Sequence, residues 1–403
     1  MQSMTNVDYL ILGAGPAGLT AANCLLDAGI DSFLVLEAEK EAGGLCRSKI
    51  VDGAPLDIGG GHILDVRRPH VTEYLFRFMP GEEWNHYNRI STIRTVDGGE
   101  IDYPYEANIW QMEIPEQVEH ILSIANAGCN KGEARPEQFD EWIVWKLGKK
   151  IAEDYMFPYN RKIWSIDLKV LGTYWMEKLP DVSLRDTLYS CLEKKAHGVL
   201  PGHAEFYYPK KYGFGELWLR MAERIREHIV YEEKVTELDA ESRTVNGRYR
   251  GERIISTIPW DSIRELKAAT PEKLADIASL KHSAVVIEYR NEETRTDAHW
   301  TYYPDETLSY HRILWRSNFC EGSRGYWTET NAARFTKKEE RFSYHNEYAY
   351  PLNTTGKPEA VKRILKWATG HGITGLGRFG EWEHLNTDVT VERAMNLIRT
   401  FRK

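Results

Sequence analysis

The first forty residues alternate between short apolar runs and segments of small or polar residues. Residues 7–12 (VDYLIL) form a hydrophobic run that ends in a glycine-rich segment, residues 13–18 (GAGPAG). Apolar residues then recur at helical spacing as far as Gly29, and a second hydrophobic run, residues 33–36, ends at Glu37. This order predicts a βαβ unit whose glycines lie between the first strand and the helix.

Each residue type in this unit has a physical role in holding a dinucleotide. Gly13 permits a tight turn, Gly15 lets a pyrophosphate approach the backbone, and Gly18 lets the helix pack close to the strand. The helix N-terminus offers free N–H groups and a positive dipole end to phosphates. Glu37, about 20 residues beyond the glycines, is placed to accept the ribose hydroxyls. The alternative is a glycine-rich turn in an unrelated α/β domain.

The remaining pattern predicts an α/β fold with three parts. Residues 90–105 alternate around a turn at 97–99 and predict a hairpin, while residues 110–200 are mainly helical in pattern. Further predicted strands are 204–208, 234–236 (beside an adenine), 253–259, 284–289 and 373–376, before a last helix at 389–401. We therefore expect a discontinuous Rossmann-type cofactor domain, a helical insertion and an antiparallel-sheet substrate domain. The cofactor domain is expected to comprise residues 1–90, 210–280 and 370–403, and the helical insertion residues 105–200. The antiparallel-sheet domain is expected to comprise residues 91–104, 201–209 and 281–369.

Composition narrows the ligand classes. The chain has 403 residues and a net charge of −8 from 52 basic and 60 acidic residues, so it has no general attraction for nucleic acid or an anionic membrane. An anionic ligand must be held by a few focused cations. The five cysteines show no paired spacing, which argues against a metal site or a disulfide framework. Without a signal peptide or an apolar run of about 18 residues, we expect a cytoplasmic protein.

A second glycine motif follows the acidic residue and points to FAD. Gly43 and Gly44, followed by Arg47 and Ser48, resemble the second FAD-contact motif of the superfamily of amine oxidases, protoporphyrinogen oxidases and UDP-galactopyranose mutases. The two glycines again allow close backbone approach, and Arg47 can face the diphosphate. The alternative for Arg47 is a surface arginine.

The middle and end of the chain resemble UDP-galactopyranose mutases, and the eukaryotic-type members most of all, although this chain is shorter. The resemblance covers nearly the whole length and is carried by segments 103–109 (YPYEANI), 159–164 (YNRKIW), 206–218, 300–312, 350–351 and 377–382 (GRFGEW). It implies that reduced FAD is the active cofactor and that its N5 acts as a nucleophile on the anomeric carbon of a nucleotide sugar. The sugar ring then opens and recloses through another hydroxyl, without net redox change.

The resemblance assigns roles to individual residues. Arg312 matches the main diphosphate arginine, Lys178 matches a second arginine, and His62 matches a histidine beside the flavin; these are the predicted catalytic residues. Without the alignment, Lys178 is a solvated lysine and His62 a structural histidine. The predicted cofactor-binding residues are Gly13, Gly15, Gly18, Glu37, Gly43, Gly44, Arg47, Gly61, His62, Val235, Gly377, Arg378 and Asp388, the last opening a helix aimed at the flavin. The predicted substrate-binding residues are Tyr103, Tyr105, Glu106, Asn160, Trp164, Lys178, His203, Trp300, Tyr302, Arg312, Phe319, Tyr350 and His384. Core packing is the alternative for Trp300 and Tyr302.

Five positions depart from the family pattern, all on the substrate side: Glu106, Lys178, His203, Phe319 and His384. Glu106 stands where the family has a glutamine that contacts uracil. A carboxylate only accepts hydrogen bonds, and guanine offers an N–H beside an NH₂. We therefore predict a GDP-sugar in place of a UDP-sugar, the alternative being that Glu106 turns to solvent and uracil is bound.

Two other functions compete with the nucleotide-sugar mutase. One is an FAD-dependent oxidoreductase of the amine or protoporphyrinogen oxidase type, and the other is a non-catalytic protein that holds FAD or a nucleotide sugar. No second nucleotide fingerprint is present, so electrons for the flavin are expected from an external flavin reductase or from NAD(P)H. The sequence does not determine the oligomeric state.

Overall fold

The computed structural model describes residues 4–176, 180–199, 204–294, 296–337 and 341–401. Its strands are β1 (Thr5–Leu12), β2 (Phe33–Leu36), β3 (Ser48–Val51), β4 (Ala54–Asp57), β5 (Leu64–Asp65), β6 (Trp84–Asn88), β7 (Ser91–Arg94), β8 (Glu100–Asp102), β9 (Glu205–Pro209), β10 (Ile229–Val230), β11 (Glu237–Asp239), β12 (Thr244–Val245), β13 (Tyr249–Ser256), β14 (Glu265–Lys267), β15 (His282–Arg290), β16 (Trp300–Tyr302), β17 (Arg312–Leu314), β18 (Tyr326–Asn331), β19 (Ser343–Pro351) and β20 (Ile373–Gly375). Its helices are α1 (Pro16–Asp27), α2 (Pro69–Phe76), α3 (Tyr105–Asn108), α4 (Ile114–Ala125), α5 (Phe139–Ile151), α6 (Phe157–Trp164), α7 (Leu184–Glu193), α8 (Gly215–Arg224), α9 (Pro271–Ser279), α10 (Lys357–Gly370), α11 (Gly377–Gly380) and α12 (Thr387–Phe401). No helix in these ranges is long and apolar enough to cross a membrane.

The Rossmann sheet has the strand order β10-β2-β1-β13-β12-β11-β14, and β20 also pairs with β13. Strand β1 lies parallel to both β2 and β13, so that Leu12 is level with Leu36 on one side and Ser256 on the other. The apolar run of β1 is buried because residues of α1 and α12 pack on one face of the sheet and residues of α10 on the other. Because β13 and β20 come from distant parts of the chain and pair beside β1, this sheet is built from discontinuous segments.

A second sheet of order β19-β15-β18-β17-β16-β7-β8 is antiparallel except between β16 and β7. The predicted hairpin is confirmed by the antiparallel pairing of Thr92 with Asp102. One buried apolar cluster runs from Ile11 in the Rossmann sheet to Trp327 in the second sheet, so the two sheets share a core.

Helices α3 to α7 form the predicted helical region, and α6 is fastened to the second sheet. The Lys162 ammonium donates hydrogen bonds to the carbonyl oxygens of Tyr303 (2.7 Å) and Asp305 (2.6 Å). The side-chain amide of Asn331 donates to the Ile163 carbonyl at 2.9 Å. Tyr159, three residues before Lys162 and on the same side of α6, also meets the second sheet, where its ring lies 5.5 Å from that of Tyr302.

Three segments differ from the sequence prediction. Residues 234–236 are not a strand, because the side chain of Asn246 accepts from the backbone N–H of Thr236 (3.0 Å) and donates to the carbonyl of Lys234 (2.9 Å) in place of a strand partner. Strand β9 pairs with β5 and β6 in a separate three-stranded sheet, outside the seven-stranded one. Helix α10 packs against α9 and β20, and so belongs beside the Rossmann sheet. The pairing partner of each segment depends on residues far away in the chain.

Candidate active site

The glycine-rich turn after β1 has the tight geometry that the sequence predicted. Gly13 has a φ of +100°, and a Cβ there would lie 2.6 Å from Oγ1 of Thr257. A Cβ on Gly18 would lie 2.0 Å from the Gly13 carbonyl oxygen, so α1 approaches the turn as closely as its backbone permits. The first N–H groups of α1 are thereby held at the end of β1, where a pyrophosphate can accept from them.

The Glu37 carboxylate is fixed at the end of β2. It is 7% exposed and accepts from the backbone N–H of Ala14 (2.7 Å) and of Glu39 (2.9 Å). Burial raises the pKa of Glu37, while the two N–H donors act against that rise. Each carboxylate oxygen keeps a further acceptor position, which suits it to a ribose diol.

The second glycine motif faces the first. A Cβ on Gly44 would lie 3.1 Å from the Cα of Gly15, and the N–H of Gly43 donates to the Ala14 carbonyl at 2.8 Å. Arg47 stays beside this segment: its Nε donates to the Gly44 carbonyl (2.9 Å) and its Nη2 to the Tyr344 hydroxyl (2.9 Å). Its contact with a diphosphate stays a prediction.

A cavity of about 360 Å³ lies where the Rossmann sheet, the second sheet and the helical region meet. It brings together most of the predicted substrate residues and three of the predicted cofactor residues. The predicted residues that line it are Gly61, His62, Tyr103, Glu106, Asn160, Trp164, Trp300, Tyr302, Arg312, Phe319, Tyr350, Arg378 and His384. The glycines of the first βαβ unit, Glu37 and Val235 lie outside it, as expected for the nucleotide end of a long cofactor. Lys178 and His203 lie outside the described residues.

Tyr105 and Asp388 do not occupy the predicted positions. Because α3 directs successive side chains to different faces, Tyr105 points away from the cavity, and its hydroxyl lies 3.1 Å from Nε2 of His120. The Asp388 carboxylate is buried in an ion pair with Arg68, so it holds α12 in place and is withdrawn from the cavity. The residue at the start of α12 that does line the cavity is Thr387.

Arg312 is held by a carboxylate that the sequence analysis missed. Its Nε donates to Oε2 of Glu329 at 2.8 Å, and Oε1 of Glu329 accepts from the Gly61 N–H at 2.9 Å. Burial would raise the pKa of Glu329, but Arg312 and His311 outweigh it and lower the pKa to about 2. Glu329 is therefore ionised, and it ties Arg312 to the loop that carries His62.

His62 is a neutral imidazole in this loop. One ring nitrogen, Nδ1, lies 3.1 Å from the Gly60 carbonyl and must donate a proton to it, which leaves Nε2 as an acceptor. Burial, followed by the positive charge of Arg378, lowers the pKa of His62 to about 4. Both effects favour the neutral imidazole at neutral pH.

Arg378 is a buried cation whose protein contacts are neutral. Its guanidinium donates to the carbonyls of Ala349 (3.0 Å) and Leu385 (2.9 Å), and it lies 5.8 Å from the centre of the Tyr350 ring. Among the described residues no carboxylate lies within 4 Å of it, and burial lowers its pKa. Such a cation is stabilised when an anion or a polar ligand occupies the cavity.

The chain was compared with family models and with known proteins. A family model described as flavin containing amine oxidoreductase matches residues 16–292. The chain belongs to this family. It is 50% identical over 68 residues to putrescine oxidase from Kocuria rosea (17% of this chain, 13% of that protein). It is 44% identical over 54 residues to inactive all-trans-retinol 13,14-reductase from Danio rerio (13% of this chain, 9% of that protein).

Solved structures of related proteins extend the likeness to the whole fold. Reduced UDP-galactopyranose mutase superimposes with a TM-score of 0.88 at 22% identity, over 98% of this chain and 94% of that one. A putative protoporphyrinogen oxidase from Exiguobacterium sp. 255-15 gives 0.69 at 15% identity, over 100% and 99%. At these identities the likeness shows the fold.

The residues of this amine oxidoreductase family member fit a flavin dinucleotide. The facing glycines 15 and 44 leave room that a side chain would fill, and the Glu37 carboxylate is fixed at the end of β2, where the sequence analysis predicted a ribose contact. The Arg378 guanidinium supplies a positive charge to the cavity wall, close enough to His62 to lower the pKa of that imidazole. The protein is therefore a flavoenzyme of this family.

The structure also shows cavity residues that the sequence analysis of this flavoenzyme missed. The Arg89 guanidinium lies 4.8 Å above the Trp300 ring and 5.0 Å from the Tyr103 ring, and donates to the Tyr302 hydroxyl at 3.4 Å. Tyr159 meets the Tyr302 ring edge-on at 5.5 Å. No local pattern marks either residue, because both reach the cavity only through pairing of β16 with β7 and packing of α6. The charged Glu329 in a buried strand was the one available signal.

Proposed function

We propose that this protein is a nucleotide-sugar mutase that interconverts the pyranose and furanose forms of a nucleoside diphosphate hexose, with reduced FAD as cofactor. The observation that carries the proposal is the convergence of Arg89, Arg312 and Arg378 on one aromatic-lined cavity beside the His62 loop. Three guanidiniums, with the hydroxyls of Tyr302 and Tyr350 among them, suit a diphosphate.

The same charges argue against amine oxidation, the second candidate. An amine substrate is a cation at neutral pH, and it would enter a cavity lined by the guanidiniums of Arg89, Arg312 and Arg378, the last of which donates to neutral carbonyl groups. Like charges in a water-poor site repel strongly. The fold shared with reduced UDP-galactopyranose mutase is the fold that this proposal requires.

The chain's own residues prepare a displacement at the anomeric carbon. When bound, the reduced flavin would supply a nucleophilic nitrogen, N5. Arg312, oriented by Glu329, would hold the departing diphosphate and stabilise its growing charge. The Tyr302 hydroxyl, which accepts from Nε1 of Trp300 at 3.0 Å, is free to donate its proton to a phosphate or sugar oxygen. The neutral His62 would offer Nε2 as an acceptor, and the rings of Trp164, Trp300 and Tyr350 would exclude water.

The test is a comparison of the oxidised and the reduced enzyme with nucleoside diphosphate hexoses. The proposal expects pyranose–furanose interconversion, followed by chromatography, only after dithionite reduction; in use, the electrons would come from an external flavin reductase or NAD(P)H. The variant Arg312→Lys should lower the rate about 10²-fold, since an ammonium cannot hold a diphosphate bidentately. Oxygen consumption with an amine or a porphyrinogen, without added reductant, would instead establish an oxidase.

A further inference from the structure

Glu106 lies at the end of the cavity remote from His62. Tyr302 and Tyr159 lie close enough to Arg312 to raise its pKa. The ring centre of Tyr159 lies 5.5 Å from that of Tyr155. Glu106 in turn acts on the pKa of Tyr155. Tyrosine rings therefore lie between Glu106 and Arg312, and in a bound nucleotide the ribose would join a base at Glu106 to a diphosphate at Arg312.

The Glu106 carboxylate is buried, and among the described residues no side chain donates a hydrogen bond to it. The residue is 8% exposed, and among the described residues only its own backbone N–H is within hydrogen-bond distance of the carboxylate. Burial raises the pKa of Glu106 to about 7, opposed by Lys146. A buried carboxylate without donors is costly, and a ligand that brings donors to it removes that cost.

Lys146 is the positive group at the same end of the cavity. It lines the cavity together with Glu106, and its Nζ lies 2.5 Å from Oδ1 of Asp181, whose side chain is largely exposed. This is the one hydrogen bond that Lys146 Nζ makes among the described residues, so two of its three ammonium protons can be offered to a ligand. The rings of Phe139, Trp142 and Trp175 line the cavity next to this pair and suit a flat ligand.

Resting on the proposed function, we propose that Glu106 and Lys146 recognise the base of the substrate and that this base is guanine. Guanine presents two adjacent donors, N1–H and the 2-amino group, followed by the O6 acceptor. The carboxylate accepts from both donors, and the ammonium donates to O6. Uracil has one N–H between two acceptors, and adenine and cytosine pair a donor with a ring acceptor, so each would present a lone pair to the carboxylate. The substrate is then a GDP-sugar.

Binding of free nucleotides to the oxidised, flavin-loaded protein tests this without any turnover. Calorimetry with GDP, IDP, ADP and UDP should give the tightest binding for GDP. IDP lacks the 2-amino group and should bind about tenfold more weakly, while ADP and UDP should bind about a hundredfold more weakly, as for charge-assisted hydrogen bonds to a buried group. UDP binding as tight as that of GDP, or equal binding of GDP and IDP, would overturn the inference.

Two variants and a matched control assign the preference to these side chains. Glu106→Gln should weaken GDP about 10- to 100-fold and leave UDP unchanged or tighter, because an amide can donate as well as accept. Lys146→Met should weaken GDP by about tenfold. The same change at an exposed position of α4, Glu119→Gln, should leave every affinity unchanged. If Glu106→Gln weakens GDP and UDP equally, Glu106 does not read the base.

The outcomes separate this inference from the proposed function. Selective GDP binding without ring isomerisation of any GDP-hexose would refute the mutase and keep the base assignment. Dithionite-dependent isomerisation of UDP-hexoses alone would keep the mutase and refute the base assignment. An unchanged visible flavin spectrum would show that each variant has folded around its cofactor.

Discussion

Removing the charge of Glu329 should destabilise the protein and disable the site together. In Glu329→Gln the side chain keeps its shape and one acceptor for the Gly61 N–H, but Arg312 loses its counter-charge. The folded-state pKa of Glu329 is about 2 against an ordinary value of 4.5. That depression corresponds to about 3 kcal/mol of stability, which agrees with about 3–5 kcal/mol for breaking a buried ion pair.

The pH dependence gives this prediction a sign. Because the folded pKa is lowered, the stabilisation from ionised Glu329 is fully present above pH 4.5 and is lost as the pH falls toward 2. The stability difference between wild type and Glu329→Gln should therefore be about 3 kcal/mol at pH 7 and about 1 kcal/mol at pH 3. Activity at pH 7 should fall about 10²-fold, since Arg312 is no longer oriented.

Urea unfolding followed by tryptophan fluorescence at the two pH values measures the effect. The matched control is Glu321→Gln, the same chemical change on an exposed residue just before β18. Its free energy of unfolding should equal that of the wild type. If Glu329→Gln unfolds within about 0.5 kcal/mol of this control at pH 7, the ion pair is not a source of stability and the reasoning fails.

Three further predictions test other parts of the site. Gly18→Ala places a Cβ 2.0 Å from the Gly13 carbonyl and should yield colourless or insoluble protein, checked by visible absorbance. Glu37→Ala removes the acceptor at the ribose and should weaken flavin retention during dialysis by about tenfold or more, provided the fold is kept, as judged by circular dichroism. GDP affinity should rise about tenfold per pH unit up to pH 7 and level off above it, because the carboxylate of Glu106, which faces Lys146, Asp181 and Tyr155, must be ionised to accept two N–H groups. A GDP affinity that calorimetry finds constant from pH 5 to 7 would contradict this predicted pH dependence.

The βαβ unit and its glycines were predictable because their constraints are local. The tight turn at Gly13, the close helix at Gly18 and the acid at the end of β2 depend on neighbours within one strand–turn–helix–strand unit. The hairpin of β7 and β8 was likewise predictable from a short alternating segment around a glycine turn. For such elements the hydrophobic periodicity and the turn residues are enough to predict the local structure.

The cavity could be predicted only in part. Arg312, Tyr302 and Tyr350 were identified from a resemblance, and the structure places all three around one space. Tyr105 was predicted for that space beside Glu106, yet one residue along a helix turns the side chain by about 100°, and only packing decides which of the two faces inward.

The amino-acid order alone therefore predicted the Rossmann-type fold, the glycine turns and the acidic residue at the end of β2, all of which the structure shows. The tertiary structure decided which charged groups come together: Glu329 pairs with Arg312, Lys146 shares one end of the cavity with Glu106, and Arg89 lies over the Trp300 ring of β16. Those partners lie on separate strands and helices, and electrostatic interaction depends on distance and burial, neither of which exists until the chain has folded.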